Sequence, residues 1–428
     1  MQSIAPIDFN RTVSGMDSNE SQEKLKAMLN LSYSHSKHIQ EYAKNLFHLE
    51  EIDLSHSSIE DRHILQAIPD FSRNNPKLKK LNLKGASFEA KTIIGLLHAF
   101  PHLESINLFG CKGVNNHDVA AAIIQLMKEK KTLTCIKGLF IDKPEDLFEC
   151  AKNAKGLEKL SIVYQGLKWG SFEDFIRMLA ENSPGLRQFH FYDRLRVFNL
   201  PKPLFDQFPS FWRELEDLHM ELPCGADSKE RHDLYLKFKK ITVLRDAGLK
   251  MEEAVSLISH FSKQLEKILF TRFQPKMAFN AFFLALSSCP NLRKLDIGKV
   301  SLAEFEALPI PSSILSRLEY LKLNWDSLKA RHWYRLSRTF GNERVKKLHI
   351  DLTGNLFAPQ WILISIVEIS KRCLNLESLS LKMLQYRSSA WDFRDVNVDK
   401  LRHYHLNGAL DSRVKIYGEI DRFNIEEF

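Results

Sequence analysis

The sequence lacks the features that mark several large classes of protein. No apolar run approaches the roughly 18 residues that a membrane-spanning helix requires, so we expect no membrane association. Residues 1–20 have neither a basic start nor an apolar stretch, which predicts no secretory signal and a reducing, cytoplasmic location. The six cysteines are widely scattered and form no Cys-x-x-Cys pair. They are therefore expected to be buried single thiols rather than disulfides or zinc ligands.

Catalytic motifs are also missing. The sequence contains no glycine-rich phosphate loop, no His-Glu-x-x-His zinc helix and no Gly-x-Ser-x-Gly elbow. We therefore predict that the protein is not an enzyme and uses neither a cofactor nor a metal ion. The net charge of +8 fits an acidic protein partner, whereas the basic residues are not clustered in the way that nucleic-acid binding usually demands.

What the sequence has instead is one motif, Leu-x-x-Leu-x-Leu with apolar substitutes, repeated about fourteen times at a spacing of about 27 residues. The clear copies start at Leu49, Leu78, Leu103, Leu157, Leu186, Leu215, Leu265, Leu292, Leu318, Val345, Leu376 and Leu401. Two degraded copies are placed with starts at Leu133 and Phe238, with a register fixed only to within a few residues. A period of this length indicates a solenoid.

Each copy predicts one strand followed by one helix. The fourth and sixth motif positions alternate with polar residues, as in a strand with one buried face. The segments between copies carry apolar residues at helical spacing, for example Ile93, Leu96, Leu97 and Phe100. Because one such unit cannot bury its own apolar face, neighbouring units must stack. The expected fold is an α/β horseshoe with a parallel sheet on the concave face and helices on the convex face.

These repeats resemble the leucine-rich-repeat superfamily over roughly residues 46–407. The finer resemblance is to the ribonuclease-inhibitor-like and cysteine-containing repeats of F-box proteins. It rests on prolines two residues before the first strand leucine and on cysteines at helix ends: Pro76, Pro101, Pro184, Pro290, Cys289 and Cys373. No F-box is recognisable before Leu49. The turn position of Cys111 carries varied residues in other repeats, so we expect an irregular stack.

The repeats divide the chain into four expected segments. Residues 1–22 are predicted to form a disordered tail, 23–48 a helical cap, 49–407 the leucine-rich-repeat domain, and 408–428 a C-terminal cap and tail. Within the first cap, the apolar spacing predicts a helix over residues 34–47 with Ile39, Tyr42, Ala43, Leu46 and Phe47 on one side. Caps are expected because the end units of a solenoid would otherwise expose apolar surface. The pattern leaves the oligomeric state open.

The best candidates for partner contact are the side chains opposite the core leucines, which would line the concave sheet. The positions predicted to contact a partner are Lys80, Asn82, Phe109, His190, Tyr192, Lys267, Lys294, Tyr320, Lys322, Lys347, His349 and Lys382. Adjacent parallel strands lie about 5 Å apart, so Lys267, Lys294 and Lys347 are expected to share one ladder, interrupted by Tyr320. The alternative is a solvated ladder of lysines that merely resists aggregation.

The resemblance implies a non-enzymatic scaffold that binds a protein partner, with an acidic protein as one candidate, through its concave face. Two alternatives remain open. One is the substrate-recognition subunit of an F-box-type ubiquitin ligase, which the missing F-box opposes. The other is an effector of an intracellular bacterium that acts on host proteins in the host cytosol. A fold of this kind does not by itself specify a partner.

Overall fold

The computed structural model divides the chain into two compact units, and in each of them short parallel strands alternate with helices. Unit 1 comprises Met1–Leu215 and His219–Cys224, and unit 2 comprises Glu216–Leu218 and Gly225–Phe428. The structure describes residues 39–55, 57, 59–130, 132–165, 172–194, 204, 206–220, 228–245, 249–273, 279–300, 312–325, 345–351 and 378–382. The predicted tail, the first part of the predicted cap, the repeat at Leu401 and the C-terminal cap lie outside these residues.

In unit 1 each strand pairs with the next one along the chain, and every pair is parallel. The elements are α1 (Ile39–Asn45), β1 (Glu51–Asp53), α2 (Asp61–Asn74), β2 (Lys80–Asn82), α3 (Ala90–Ala99), β3 (Ser105–Asn107), α4 (His117–Lys130), β4 (Cys135–Ile141), α5 (Pro144–Asn153), β5 (Lys159–Tyr164), α6 (Phe172–Asn182), β6 (Gln188–Asp193) and α7 (Phe208–Phe211). A short 3-10 helix, Lys112–Asn115, precedes α4.

Unit 2 repeats this organisation, again with parallel pairing in chain order. Its elements are β7 (Asp217–Met220), whose last two residues belong to unit 1, α8 (Ser228–Lys237), β8 (Val243–Arg245), α9 (Met251–His260), β9 (Lys267–Phe273), α10 (Phe279–Ser287), β10 (Lys294–Val300), α11 (Ser312–Leu315), β11 (Tyr320–Trp325), β12 (Lys347–Asp351) and β13 (Ser378–Lys382). Among the described helices, none has the length and apolar character needed to cross a bilayer.

The motif positions explain why these elements form and pack. Leu78, Leu81 and Leu83 are at most 1% exposed, while the residues that alternate with them, Lys80 and Asn82, remain accessible. Each strand therefore presents one side to the helices and the other side away from the core, which we call the non-core face. The sequence predicted this alternation, and it is confirmed in β1, β2, β3, β9 and β10. In β5, β6 and β7, residues of the non-core face such as Ser161, His190 and Asp217 are buried as well.

Helix α1 lies within the segment that the sequence predicted as an N-terminal cap. Its residues Ile39 and Ala43, and Leu46 just after its end, are buried, and the helix packs against α2. Phe47, however, is 54% exposed. The expectation that it packs with the other apolar residues of the cap is wrong because the helix ends at Asn45, before the residue can join that side.

The two degraded repeats gain a definite register. At the first, Ile136 pairs with Leu160 and both are fully buried, so the predicted start at Leu133 is confirmed. At the second, Leu244 pairs with Ile268, which places the start at Ile241 rather than at Phe238. Phe238 is still buried, at 3% exposed, and this explains why it was mistaken for the motif leucine.

Asn75 ties the cap to the first repeats. Its Oδ1 accepts a hydrogen bond from the Leu49 amide at 2.7 Å, and its Nδ2 donates to the carbonyls of Leu46 and Phe71, each at 3.0 Å. The side chain is completely buried. It thereby satisfies a helix-end carbonyl and two backbone groups of the preceding segment that water cannot reach.

Replacing Asn75 with leucine is expected to destabilise the N-terminal end of unit 1 by about 2–4 kcal/mol, because the Leu49 amide and the Leu46 carbonyl lose the Asn75 side chain as their partner. The Phe71 carbonyl keeps its hydrogen bond from the Asn75 backbone amide. Hydrogen exchange at the amides of Leu49 and Glu51–Asp53 should accelerate first. Asn153→Leu is the matched control, since its side chain donates only to the Glu149 side chain and carbonyl in its own helix and is half-buried. Equal effects of the two variants would contradict this role for Asn75.

Candidate binding face of the sheet

The non-core face of unit 2 carries a row of basic residues in strict register. Lys267 pairs with Lys294, Lys294 with Tyr320, and Tyr320 with Lys347. Adjacent parallel strands are about 4.8 Å apart, so the four side chains lie side by side on β9, β10, β11 and β12. The predicted ladder of three lysines interrupted by one tyrosine is confirmed as a geometric feature. We call these four residues the lysine row.

Tyr320 holds one of the lysines. The Lys294 Nζ lies 4.1 Å from the centroid of the Tyr320 ring, a distance at which the ring quadrupole attracts the ammonium group. Burial raises the pKa of the Tyr320 phenol above its usual range, and the nearby Asp296 carboxylate adds to the rise. The hydroxyl therefore stays protonated at neutral pH and keeps its proton for hydrogen bonding.

The outer lysines of the row are differently placed. Lys267 and Lys347 are exposed, and within the described part of the chain neither forms an ion pair. The residue that precedes each member of the row alternates in charge from strand to strand: Glu266, Arg293, Glu319 and Lys346. Arg293 lies 3.8 Å from Glu319. Like charges directly opposite each other on neighbouring strands are destabilising. The Lys267 and Lys294 side chains are such a like-charged pair, and a local departure from a stabilising arrangement is the pattern expected of functional residues.

A second row on this face contains opposite charges. Arg245, Leu269, Asp296 and Lys322 follow one another in register. The Arg245 guanidinium donates to both carboxylate oxygens of Asp217, at 2.7 and 3.0 Å, and the Lys322 Nζ lies 3.5 Å from Asp296 Oδ2. The sequence did not predict Arg245 on this face because the repeat that contains it was assigned a start at Phe238. The spacing of Ile241 and Leu244, which matches the first and fourth motif positions, was the signal for the correct register.

The buried carboxylate of Asp296 lies among three cationic side chains but remains poorly solvated. Its Oδ1 is shielded from solvent and has no hydrogen-bond partner. Burial raises the pKa of the Asp296 carboxyl above its usual value, although the positive charges of Lys322, Lys294 and Arg245 oppose the rise. Desolvation of the carboxylate therefore outweighs its attraction to the three cations.

The sign of this shift gives a pH prediction. Because the native state holds the Asp296 proton more tightly than the unfolded chain does, stability falls as pH rises above about 3.9, the ordinary Asp pKa, and the full cost applies above the raised native pKa. Asp296→Asn should therefore be more stable than the wild type at pH 7, and the gain should disappear below about pH 4. Urea unfolding of both proteins at several pH values measures this difference in the free energy of unfolding. Asp217→Asn, which removes one of the two hydrogen bonds from Arg245 and the charge of the pair, should instead destabilise at pH 7; stabilisation by both variants would contradict the account.

In unit 1 the predicted contact residues are largely engaged with one another. Lys80 lies 4.0 Å from Glu51, and Asn82 donates to Asp53 at 3.1 Å. The side chains of His190 and Tyr192 are 4% and 9% exposed, which limits the surface they offer to a partner. Their burial follows from a cluster of rings on the non-core face, with centroid distances of 5.5 Å for Phe109 and Tyr192, 4.7 Å for Tyr192 and His219, and 5.9 Å for His190 and His219.

Gly138 shapes this part of the face. It has a positive φ of 73° and lies where the pairing of β4 with β5 shifts register between Ile136 and Leu139. A Cβ at this position would lie 2.5 Å from both the Cα and the N of Phe109. Only glycine therefore allows the two backbones to approach and leaves Phe109 in its observed position. A lone glycine within a strand was the sequence signal for this bulge.

The last two predicted residues are located by their strands alone. His349 is in register with Lys322, which extends the second row, and Lys382 is in register with Asp351 near the end of β12. Neither position belongs to the lysine row. The structure thus groups Lys267, Lys294, Tyr320 and Lys347 and places Lys322 and His349 one row away. In unit 1 it groups Phe109, His190 and Tyr192 in the cluster of rings and pairs Lys80 and Asn82 with acidic residues.

Comparison with known proteins adds little to this description. No family model matches the chain, and no curated protein matches it. One similar solved structure is a Bacteroides fragilis protein determined by the Northeast Structural Genomics Consortium, with 10% sequence identity and a TM-score of 0.33 over 70% of this chain and 82% of the other. A match at that level carries no argument. The chain is an α/β repeat protein. That statement rests on its own alternation of parallel strands and helices.

Proposed function

We propose that this chain is a leucine-rich-repeat recognition scaffold that binds an acidic protein segment on the non-core face of unit 2. In this proposal the full chain forms a horseshoe of about fourteen repeats and carries out no chemistry. The single observation that supports it is the lysine row, in which the exposed lysines Lys267 and Lys347 have no ion pair among the described residues, whereas the adjoining Arg293 pairs with Glu319.

The position of the row argues against a purely protective role. Exposed lysines guard sheet edges against unwanted pairing, but β9, β10, β11 and β12 each have a paired strand on both sides. The backbone groups of these strands are already used, so the charges protect nothing there. Docking of an acidic segment would relieve the repulsion between Lys267 and Lys294 and would be favoured by charge complementarity.

The row also suits a protein better than a nucleic acid. Its three ammonium groups span about 15 Å, measured as three strand spacings, and Asp296 and its buried carboxylate lie in the next row. Phosphate backbones are bound by larger basic surfaces. A phenol donor and a cation–π pair within the row add points of specific contact that can anchor side chains.

Fluorescence anisotropy with labelled probes tests the proposal. A glutamate-rich peptide should bind the full chain, its glutamine counterpart should not, and the affinity for the acidic peptide should fall as salt rises because exposed charges are screened. A duplex oligonucleotide of equal charge should bind more weakly than the peptide. Tighter binding of the oligonucleotide would overturn the proposed partner class, and binding of the glutamine peptide with equal affinity would remove the role of charge.

A further inference from the structure

A second cluster of polar side chains lies in unit 1, away from the lysine row. His117 is the first residue of α4, Asp142 follows β4, and Asp146 lies in the first turn of α5. One ligand atom from each of the three residues lies within 4.8 Å of the other two. They come from two consecutive repeats and meet where the helices begin.

The contact between His117 and Asp146 is unusual. The Nδ1 of His117 lies 2.9 Å from Oδ2 of Asp146, yet neither atom has a hydrogen-bond partner of acceptable geometry and both are shielded from solvent. Within the described part of the chain only five side-chain atoms are in this state, and two of them face each other here. The two atoms are therefore close without forming a hydrogen bond.

A shared cation would supply the partner that both atoms lack. Zinc binds nitrogen at about 2.0–2.1 Å and carboxylate oxygen at about 2.0–2.2 Å, so two ligands of one tetrahedral ion stand about 3.4 Å apart. The His117 Nδ1 and Asp146 Oδ2 atoms, 2.9 Å apart, would therefore separate by about 0.5 Å to hold an ion between them.

We propose that His117, Asp142 and Asp146 form a binding site for a divalent transition-metal ion such as Zn²⁺. One imidazole nitrogen and two carboxylates form a donor set that suits such ions, with water completing the coordination. Asp142 is exposed, so its side chain can turn to complete the site. The ion would join α4 to the turn between β4 and α5. The sequence alone had predicted no metal, because residues 117, 142 and 146 match no compact ligand motif.

Another pair in the chain provides a matched control. In unit 2 the Nδ1 of His232 lies 3.1 Å from Oδ1 of Asp233, with the other ring nitrogen 3.0 Å from the Ser256 hydroxyl. No third metal ligand joins this pair among the described residues. It therefore has a similar contact distance without the donor set of a metal site.

Isothermal titration calorimetry of the chelator-treated, untagged full chain with Zn²⁺ tests the site. We expect the uptake of one ion per chain, at least tenfold weaker binding in His117→Ala, Asp142→Asn and Asp146→Asn, and unchanged binding in His232→Ala. Zn²⁺ should also raise the thermal midpoint of the wild type and of His232→Ala, but not that of Asp142→Asn. Asp142→Asn keeps the test valid if His117→Ala folds poorly, because the residue is exposed.

Two results would overturn the proposal. If the wild type takes up no ion with defined stoichiometry, the three side chains form an ion pair only. If Asp142→Asn and Asp146→Asn bind Zn²⁺ as tightly as the wild type, the ion occupies another site. Neither result bears on the lysine row, which lies in the other unit and is tested with a peptide.

Discussion

Exchanging Lys267, Lys294 and Lys347 together for glutamate is expected to weaken binding of an acidic peptide by about a hundredfold or more. Each exchange removes an attraction of up to about 1 kcal/mol and adds a repulsion, and three such changes exceed the roughly 2.7 kcal/mol that corresponds to a hundredfold. The fold should persist, because Lys267 and Lys347 are exposed and the Lys294 ammonium lies over the ring surface of Tyr320. Anisotropy titration measures the affinity and circular dichroism the fold.

The control for this variant changes the net charge equally. Lys77, Lys91 and Lys155 are exposed lysines of unit 1 outside the strands, and their exchange for glutamate also lowers the formal charge by 6, from +8 to +2. If net charge alone attracts the peptide, both triple variants lose affinity to the same extent. If the lysine row is the site, only the Lys267/Lys294/Lys347 variant loses most of it. Equal losses of peptide affinity in the two triple variants would therefore contradict binding at the lysine row, without bearing on the fold.

Replacing Gly138 with alanine is expected to destabilise unit 1 by about 3 kcal/mol or more. The left-handed backbone costs an L-residue about 1–2 kcal/mol, and the new Cβ would lie 2.5 Å from two backbone atoms of Phe109, so β3 and β4 must move apart. Hydrogen exchange of Ser105–Asn107 and Cys135–Ile141 should show the loss most clearly, since solenoid repeats open locally.

Gly156 separates the two causes. It also has a positive φ, of 85°, but nothing lies within 4 Å of a Cβ added there. Gly156→Ala should therefore show only the conformational cost, about 1–2 kcal/mol. The difference between the free energies of unfolding of the two variants gives the cost of the contact between the added Cβ and the Phe109 backbone. A Gly138→Ala variant no less stable than Gly156→Ala would show that the bulge tolerates a side chain.

The regular repeats were predictable because one physical rule governs them. Wherever leucine or isoleucine occupies the fourth and sixth motif positions, as in Leu81 and Leu83, burial follows from strand alternation and stacking. The register of the lysine row follows from the same rule. Prediction failed where a second apolar residue competed for the motif, as Phe238 did with Ile241.

The features that depend on contacts between repeats could not be predicted. Asn75 bonds to the backbone of the preceding segment, Gly138 admits the backbone of the preceding strand, and Asp146 meets His117 from the repeat before it. Each contact joins residues separated by about one repeat period. Their meeting depends on the exact stagger of neighbouring units, which the hydrophobic pattern fixes only approximately.

The measurement that tests the central claim most directly is a pull-down from cell lysate with three baits, followed by mass spectrometry. The baits are the wild type, the Lys267/Lys294/Lys347 charge-reversed variant and the Lys77/Lys91/Lys155 control. The account predicts a protein with an acidic segment that is captured by the wild type and the control and lost with the first variant, and whose purified acidic segment shows the same order of affinity. A partner captured equally by all three baits, a cullin adaptor included, would contradict recognition through the lysine row.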